Sequence, residues 1–444
     1  MTSSASIASA ARLPRFERLP LQAPDGTPVM QLPSGIVARA EFLARIGGVA
    51  ARLSDARGPV VLACHGTAEF AIAFCALLHA RREIILPSGL QEDLLADPLF
   101  AGMQRLDDAF VQDSETRPLP PIAFDGNHAV TLFTSGSTGT PKRIAKTLRQ
   151  LSAEADVLEA TFGDRLASAE VRATVPHFHI YGALFRVIWP LAAGRVFHSE
   201  PVTTFAMEKQ EDVLISSPAF LRRLPAESLA RYAPPLVFSS GGQLPEHVAA
   251  SLSRTCPVIE VYGSTETGGI GWREWPRTGG GNWTPFAGAE LRVDEDKGRL
   301  AVRSPATGHA WVDSGDAANL HEDGSFTLLG RADGVLKIED KRISLAALAE
   351  WMEQHALVEE TGVVALAGSR AQLGAVIRLT GEGARMLATD GRTALIRKLR
   401  LHALKRFDSV LAPRKWRFVD ELPFNAAGKL SQAALAALFE RQGK

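Results

Sequence analysis

Residues 131–143 read TLFTSGSTGTPKR, and this stretch guides the interpretation of the whole chain. An apolar lead-in precedes seven glycine and hydroxyl residues, 134–140, which are followed by Pro141 and Lys142. Glycines let successive backbone N–H groups converge, hydroxyls add short donors, and a lysine supplies a point charge, so the loop suits a polyphosphate. A Walker A loop is excluded, because Pro141 precedes the lysine and Arg143 follows it where GK[ST] is required.

Four further motifs have residue types that suit a nucleotide. They are SSGGQLP (239–245), VYGSTETGG (261–269), WVDSGDAANLHEDGSFTLLGRADGVLK (311–337) and LPFNAAGKLS (422–431). Tyr262 offers a flat ring, and the carboxylate of Glu266 is a hard oxygen ligand suited to Mg²⁺. An ionised Asp316 has two oxygens that can accept hydrogen bonds from hydroxyl groups.

In this order, the motifs resemble the signatures of the adenylate-forming superfamily, which includes acyl-CoA synthetases, peptide-synthetase adenylation domains and luciferases. The resemblance runs from about residue 35 to the end of the chain. It implies an α/β fold with a large N-terminal adenylation domain, residues 1–332, that binds the acid and ATP. A small mobile α+β C-terminal domain, residues 333–444, would carry the catalytic lysine, with the hinge at Asp333.

The resemblance also assigns the site residues, with ATP and Mg²⁺ as cofactors. ATP-binding positions are Thr134, Ser135, Gly136, Ser137, Thr138, Gly139, Lys142, Gly241, Gly242, Tyr262, Gly263, Asp316 and Arg331. Catalytic positions are Lys429, Thr265, Glu266 and His179, and Glu266 is also the metal ligand. In relatives the lysine at the position of Lys429 bonds to the acid and the phosphate as charge redistributes in the transition state.

The segment PHFHIYG, residues 176–182, fits a pattern that overlies the carboxylate in aryl- and acyl-activating members. His177 and His179 are two residues apart, which would place both on one face of a strand, so a metal pair is conceivable. No third ligand cluster is apparent in the sequence, and metal is the less favoured interpretation. His179 is either a lid on the acyl site or a packed core histidine.

Some features point to a subgroup. Asp340 stands where thioester-forming relatives have a glycine beside the pantetheine tunnel. The compact length, the segment 176–182 and KIEDKRISL (337–345) look most like short ligases of aryl polyene and xanthomonadin-type pathways. The implied function is activation of a hydroxybenzoate-like acid to acyl-AMP with pyrophosphate release, then transfer to the phosphopantetheine thiol of an acyl carrier protein. The alternatives are a free-standing acyl- or aryl-CoA synthetase and a non-catalytic nucleotide sensor.

Charge is balanced overall but not locally. Lys+Arg and Asp+Glu both number 49, so attraction of the whole surface to nucleic acid is not expected. The window 392–417, however, holds nine basic residues and one acidic residue, a net charge of +8. Within it, apolar residues recur at helical spacing: Ile396, Leu399, Ala403 and Phe407. Arg397, Lys398 and Arg400 would dock an acidic carrier protein or the phosphates of CoA; a solvated helix face is the alternative.

Cysteines and hydropathy limit the class of protein further. The three cysteines (Cys64, Cys75 and Cys256) have no CxxC spacing, which excludes a disulfide scaffold and a cysteine zinc site and predicts buried, reduced thiols. No charge-free stretch of about 18 apolar residues occurs, so no membrane span is expected. We expect a cytoplasmic protein, because the start of the chain has no apolar block of signal-peptide length.

Hydrophobic periodicity predicts the order of the elements. A strand at 59–63, a helix at 69–80 and a strand at 83–86 form a unit typical of parallel α/β sheets. Further predictions are helices at 146–160, 217–223, 245–254, 344–356, 392–407 and 431–441, and strands at 172–175, 236–238, 258–261, 361–367 and 373–379. Asp323-Gly324 predicts a hairpin turn, and a linker is expected at about 330–335.

Overall fold

The structure is a computed structural model of the 444-residue chain. It describes residues 23–53, 58–119, 124–134, 142–203, 212–224, 234–276, 281–294, 298–332, 335–338, 341–366, 372–407, 409, 411–423, 430 and 432–440. The chain divides into two compact units. The first comprises Met1–Leu291 with Val302–Ser314, and the second comprises Arg292–Ala301 with Gly315–Lys444.

The first unit is built from two sheets with helices packed against them. Its strands are β1 (Pro28–Leu32), β2 (Gly35–Ala38), β3 (Val60–Leu62), β4 (Ile84–Leu86), β5 (Gln104–Leu106), β6 (Ala129–Thr134), β7 (Lys142–Thr147), β8 (Val171–Ala173), β9 (Phe197–His198), β10 (Val213–Ser216), β11 (Val237–Ser239), β12 (Val258–Ser264), β13 (Gly268–Trp275) and β14 (Thr284–Pro285). Its helices are α1 (Arg39–Arg52), α2 (Thr67–His79), α3 (Glu92–Leu95), α4 (Asp108–Gln112), α5 (Leu148–Leu166), α6 (Ile180–Gly182), α7 (Trp189–Ala193), α8 (Pro218–Leu221) and α9 (Glu246–Leu252). A π-helical segment, Ala183–Ile188, joins α6 to α7.

The five-stranded sheet has the order β5-β3-β4-β6-β7. Strands β3, β4, β5 and β6 pair in parallel, whereas β7 runs antiparallel to β6. Helix α2, which connects β3 to β4, is buried along most of its length, and Phe70 and Phe74 stack within the core. The predicted strand–helix–strand unit and the α/β class are confirmed.

The nine-stranded sheet has the order β14-β13-β12-β11-β10-β8-β9-β1-β2. Its centre, from β12 through β11 and β10 to β8 and β9, is parallel, and β13 folds back antiparallel on β12. Phe162 of α5 packs edge-on against Phe238 of β11 and Trp272 of β13. Helix α5 thus packs against the sheet through its aromatic face.

Helix α5 begins later than the sequence predicts. Residues 146–147 belong to β7, and the helix starts at Leu148 behind a capping box formed by Thr147 and Gln150. The capping box satisfies backbone donors at the helix start.

Four strands form another sheet. They are β15 (Glu290–Val293), β16 (Arg299–Arg303), β17 (Val312–Leu320) and β18 (Phe326–Arg331), in that order. A short 3₁₀ turn, Pro305–Thr307, lies between β16 and β17. The predicted hairpin turn at Asp323-Gly324 is confirmed: it joins β17 to β18, Gly324 has a φ of +82°, and Asp323 Oδ1 accepts a hydrogen bond from Ser325 N–H at 2.9 Å.

The remaining elements belong to the second unit. The strands are β19 (Val335–Ile338), β20 (Lys341–Ser344), β21 (Val358–Leu366), β22 (Gln372–Leu379) and β23 (Lys415–Phe418), and the helices are α10 (Leu345–Glu353), α11 (Gly381–Thr389), α12 (Gly391–Leu404) and α13 (Gln432–Glu440). Helices α10 and α12 contribute Leu348, Leu395 and Leu399 to one apolar core with β21 and β22. The helices predicted at 344–356, 392–407 and 431–441 are therefore present.

The predicted linker at 330–335 coincides largely with strands, since Gly330 and Arg331 end β18 and Val335 begins β19. The predicted hinge, Asp333, lies outside the described residues. The boundary between residues 332 and 333 stays a prediction.

Candidate active site

The phosphate-loop motif lies on the hairpin formed by β6 and β7. Thr134 and Lys142 are the last paired residues of this hairpin, so the loop between them begins at one and ends at the other. Ser135, Gly136, Ser137, Thr138 and Gly139 lie outside the described residues. The hairpin nevertheless fixes the position of Lys142 at the start of β7.

Glu266 lies in the turn between β12 and β13, where the motif VYGSTETGG folds into a second hairpin. Gly263 stands opposite Gly269, and a Cβ at position 263 would lie 2.3 Å from Gly268 O, so the close approach of the two strands requires glycine there. Ser264 and buried Thr267 close the turn: Ser264 N–H donates to Thr267 Oγ1 at 3.0 Å. Thr265 and Glu266 are half-buried at its tip.

The structure brings two of the predicted site residues into contact. Lys142 Nζ lies 2.8 Å from Glu266 Oε1, and the two side chains are 60% and 30% exposed. Burial by itself raises the pKa of Glu266, but hydrogen bonds from Lys142, from backbone N–H and from Ser264 outweigh it, so the pKa lies below its usual value. Glu266 is therefore an ionised carboxylate near neutral pH, as a ligand for a hard cation must be.

The other nucleotide-binding candidates of the first unit lie at strand ends. Tyr262, near the end of β12, packs its ring 5.6 Å from that of Trp283. Gly241 and Gly242 follow β11 and are exposed; Gly241 has a φ of +84°, and a Cβ added to it would meet no atom within 4 Å. At the carboxyl ends of parallel strands, such glycines leave room for a ligand.

In the second unit, Asp316 and Arg331 are directly opposite each other. They are paired Cα partners across the antiparallel strands β17 and β18. Asp316 is half-buried. The sequence prediction that these two residues act at one place is consistent with this register.

The segment 176–182 is a turn leading into α6, which corrects the expectation that His177 and His179 share one face of a strand. His177 is buried and contacts a distant segment of the chain: its Nε2 lies 2.9 Å from the backbone oxygen of Cys64, and its Nδ1 lies 3.1 Å from the hydroxyl oxygen of Thr67. His179 is exposed, with its ring 4.7 Å from that of Phe178. The packed core histidine is thus His177, and His179 is open to a ligand.

Several predicted residues cannot be placed. Lys429, Asp333 and Asp340 lie outside the described residues, and of Arg331 only the backbone is described. Their assigned roles stay predictions.

Helix α12 carries the predicted docking residues. Arg397, Lys398 and Arg400 are all exposed, whereas Leu399 and Ala403 are fully buried and Ile396 and Phe407 pack partly buried against the same core. The predicted apolar face is confirmed. Leu401 and Leu404, at 56% and 39% exposure, lie among the basic residues on the outer side.

Within the part of the chain that the structure describes, one other group of side chains has the spacing of metal ligands: Glu170, His198 and Asp212. His198 Nε2 lies 2.7 Å from Glu170 Oε2, and Arg172 Nε lies 2.5 Å from Asp212 Oδ2. The arginine already supplies a positive charge to this cluster, so the contacts are satisfied within the protein.

Sequence reasoning missed a buried ion pair next to the Glu266 turn. Lys146 Nζ and Glu154 Oε1 are 3.8 Å apart, with 2% and 7% of the side chains exposed. In the sequence both residues fall in one segment with helical periodicity, which gives no sign that either is buried.

Comparison with known proteins agrees with this geometry. The AMP-binding enzyme family matches residues 87–315. The 4-coumarate–CoA ligase of Cereibacter sphaeroides is 28% identical over 317 residues, 68% of this chain and 70% of the relative. The 2-succinylbenzoate–CoA ligase of Geobacillus kaustophilus is 28% identical over 353 residues, 70% of each. The ATP-bound MatB of Rhodopseudomonas palustris shares the fold, with a TM-score of 0.75, 17% identity and coverage of 97% of this chain and 99% of that one.

Fold and motifs together define an adenylate-forming enzyme, an AMP-forming acid–thiol ligase that uses ATP. The chain belongs to the AMP-binding enzyme family. Among the described residues, no helix combines the length and the apolar character needed to cross a bilayer.

Proposed function

We propose that this ligase activates an aryl, hydroxybenzoate-like carboxylic acid and transfers it to the phosphopantetheine thiol of an acyl carrier protein. An oxygen of the acid attacks the α-phosphorus of ATP, the bond to the β-phosphate oxygen breaks, and pyrophosphate leaves. The thiol then loses its proton to water, its sulfur attacks the acyl carbon, and AMP leaves with the electron pair of the anhydride bond. The contact of Lys142 with Glu266 is the observation on which this proposal chiefly rests.

In that contact two opposite charges neutralise each other, whereas a bound nucleotide would interact with each of them in a different way. Lys142 follows the phosphate loop and can donate to phosphate oxygens, while Glu266 offers a carboxylate whose lowered pKa keeps it ionised. Bound Mg²⁺ would be held by Glu266 and would neutralise charge on the phosphates. The hydroxyl of Thr265, one residue away, can donate to the same phosphates.

The remaining assigned residues act at the other ends of the substrates. Asp316, opposite Arg331, accepts hydrogen bonds from the ribose hydroxyls. Tyr262 contributes a ring face for adenine, and Gly241 and Gly242, after β11, leave space for the nucleotide. Lys429 stabilises the charge that develops between acid and phosphate, which is where a preorganised cation accelerates the reaction most.

An aryl acid is favoured by two observations. The relatives include ligases named for 4-coumarate, 2-succinylbenzoate and benzoate, all acids with an aromatic ring. The segment with His179 also holds a half-buried aromatic side chain, Phe178, whose ring lies 4.7 Å from that of His179. His179, exposed at the start of α6, is proposed to cover the acid carboxylate.

A carrier protein is favoured as the acceptor by the surface of α12. Arg397, Lys398 and Arg400 are exposed, and the leucines Leu401 and Leu404 among them offer apolar contact. An acidic helix with a few apolar side chains complements such a surface in both charge and hydrophobicity. CoA remains the second candidate, because the named relatives are CoA ligases.

The cytoplasm is the proposed location. Cys64, Cys75 and Cys256 are free and buried, as the sequence predicts, and burial raises the pKa of Cys75 to about 12. Protonated thiols that form no disulfide are typical of proteins in a reducing compartment.

Pyrophosphate exchange into ATP tests the adenylation step. The enzyme is assayed with a panel of hydroxybenzoates, cinnamates and aliphatic acids, and Lys429→Ala is the control. We expect exchange with aryl acids and a loss of about a hundredfold or more in the variant, as for removal of other transition-state donors. ATP binding without exchange for any acid would instead support a nucleotide sensor.

Acceptor choice is tested by loading a phosphopantetheinylated acidic carrier protein in parallel with CoA. Charge reversal at Arg397, Lys398 and Arg400 should slow carrier loading about tenfold, a typical change when rim charges that steer association are reversed, and should spare exchange. The matched control reverses three exposed arginines elsewhere: Arg81, Arg254 and Arg385. Faster transfer to CoA than to carrier protein, or equal loss of exchange and loading, contradicts the docking proposal.

A further inference from the structure

The buried pair of Lys146 and Glu154 connects β7, the strand that follows the phosphate loop, to the turn that carries Glu266. Lys146 is on β7 and Glu154 is on α5. Lys146 Nζ donates to Ala306 O at 3.0 Å and lies 3.8 Å from Glu154 Oε1. Each charge is almost fully removed from water, so each needs its partners to be tolerated.

Glu154 holds the turn directly. Its Oε2 accepts a hydrogen bond from Gly269 N–H at 3.0 Å, immediately beyond the turn of residues 265–267. The carboxylate fits there because residue 268 is glycine: a Cβ at that position would lie 2.7 Å from Glu154 Oε2 and 2.6 Å from the Cβ of Ala306. Gly268, with a φ of +67°, is therefore packed between Glu154 and the 3₁₀ turn that contains Ala306.

Strand β7 is thus linked to the turn in two ways, directly through Lys142 and indirectly through Lys146 and Glu154. Lys142 and Lys146 are four residues apart on β7, and side chains with that separation lie on one face of a strand. Lys142 reaches Glu266 at the tip of the turn, and Lys146 reaches Glu154, which holds the backbone where the turn ends. Both contacts consequently help to position the Glu266 turn against β7.

Stability alone does not account for the pair. Apolar residues of similar volume often replace a buried ion pair without loss of stability. Glu154 Oε1 also has no hydrogen-bond partner among the described residues. The hydrogen bond that Glu154 Oε2 accepts from Gly269 N–H instead indicates that the pair holds the turn in place.

We propose that Lys146 and Glu154 are positioning residues that orient the Glu266 turn toward the metal and phosphates of ATP. This inference rests on the proposed function, because it assigns the turn a role in nucleotide binding. Glu154 acts through the N–H of Gly269, and Lys146 acts through Glu154.

The test compares two double variants that both remove the charges. Lys146→Met with Glu154→Leu leaves Gly269 N–H without an acceptor, whereas Lys146→Met with Glu154→Gln keeps an amide oxygen for it. Binding of ATP with and without Mg²⁺ is measured by calorimetry, alongside Tm and pyrophosphate exchange. We expect the Leu variant to lose about tenfold in affinity for ATP with Mg²⁺ and the Gln variant to recover most of it, as for loss and restoration of one buried hydrogen bond.

Glu159→Gln is the control on the same helix. Glu159 pairs with Arg195 at 2.6 Å and accepts a hydrogen bond from Trp189, so its polar contacts are made away from the turn. Its variant should lower Tm and leave the Mg²⁺ response unchanged. If the Leu variant does not fold, Glu154→Asp, which withdraws the carboxylate by one methylene while leaving Lys146 a partner, takes its place with the same expected loss.

The possible outcomes separate the two proposals. Wild-type affinity for ATP with Mg²⁺ in the Leu variant, or equal losses in both double variants, overturns the positioning role. Wild-type protein that binds no ATP overturns the proposed function itself.

Discussion

Replacing His177 by glutamine tests how the fold holds a buried histidine neutral. A carbonyl can only accept a hydrogen bond, so His177 Nε2, 2.9 Å from Cys64 O, must carry the proton. In the neutral ring, Nδ1 is then an acceptor for the hydroxyl of Thr67 at 3.1 Å. Protonation would force Nδ1 to donate and would place a charge beside Phe70, whose ring lies 4.6 Å away.

The magnitude follows from the displaced pKa. Burial lowers the pKa of His177 from 6.5 to about 4, and the neighbouring cation Arg186 adds to the effect. Because the unfolded chain binds this proton first, the contribution of His177 to stability is complete above pH 6.5 and is lost progressively down to pH 4. Between pH 7 and pH 5 the expected loss is about 2 kcal/mol, since one pKa unit corresponds to about 1.4 kcal/mol.

Two measurements check this expectation. In protein labelled at the histidine ring carbons, the resonance missing from His177→Gln should keep its neutral position down to about pH 5. Urea unfolding should lose about 2 kcal/mol more in the wild type than in the variant over the same range. His247→Gln, which removes an exposed histidine on α9, is the control for losing one imidazole. Titration of His177 near pH 6.5, or equal slopes in wild type and variant, refutes the reasoning.

Two further predictions concern the hairpins of the site. Lys142→Ala should change the free energy of unfolding by less than about 1 kcal/mol, because the Lys142 side chain is mostly exposed and that of Glu266 only half-buried, and should reduce pyrophosphate exchange about a hundredfold; parallel losses in denaturant unfolding and exchange would contradict this. Gly263→Ala should destabilise by about 1–3 kcal/mol because its methyl group would meet Gly268 O at 2.3 Å. Gly26→Ala, where the added methyl group meets nothing within 4 Å, is its control, and equal midpoints for the two variants would be the opposing result.

Local signals in the sequence predicted most of the architecture. The apolar run before the helix at Thr67 defined a buried parallel strand, and Asp323-Gly324 marked a hairpin that the structure contains. Turn chemistry and apolar periodicity depend on neighbours in the chain, so a single sequence is enough to detect them.

Predictions that depended on distant contacts were less successful. Residues 146–147 have helical periodicity but pair as a strand with β6, because tertiary pairing overrides local preference. The segment with His177 turns instead of extending, since the imidazole is held by Cys64 and Thr67, more than a hundred positions earlier. The partnership of Lys142 with Glu266, 124 positions apart, was predictable only as a shared role, not as a contact.

The pairing of Lys142 with Glu266 also has a consequence for ligand discrimination. In the free protein each charge neutralises the other at 2.8 Å. A phosphate without a cation would pair with the lysine and leave the carboxylate without a counter-charge. A divalent cation without phosphate would pair with the carboxylate and leave the lysine without one. Only a ligand that carries both a phosphate and a bound cation replaces both partners of the pair. The two side chains therefore favour metal-bound nucleotide over either component alone.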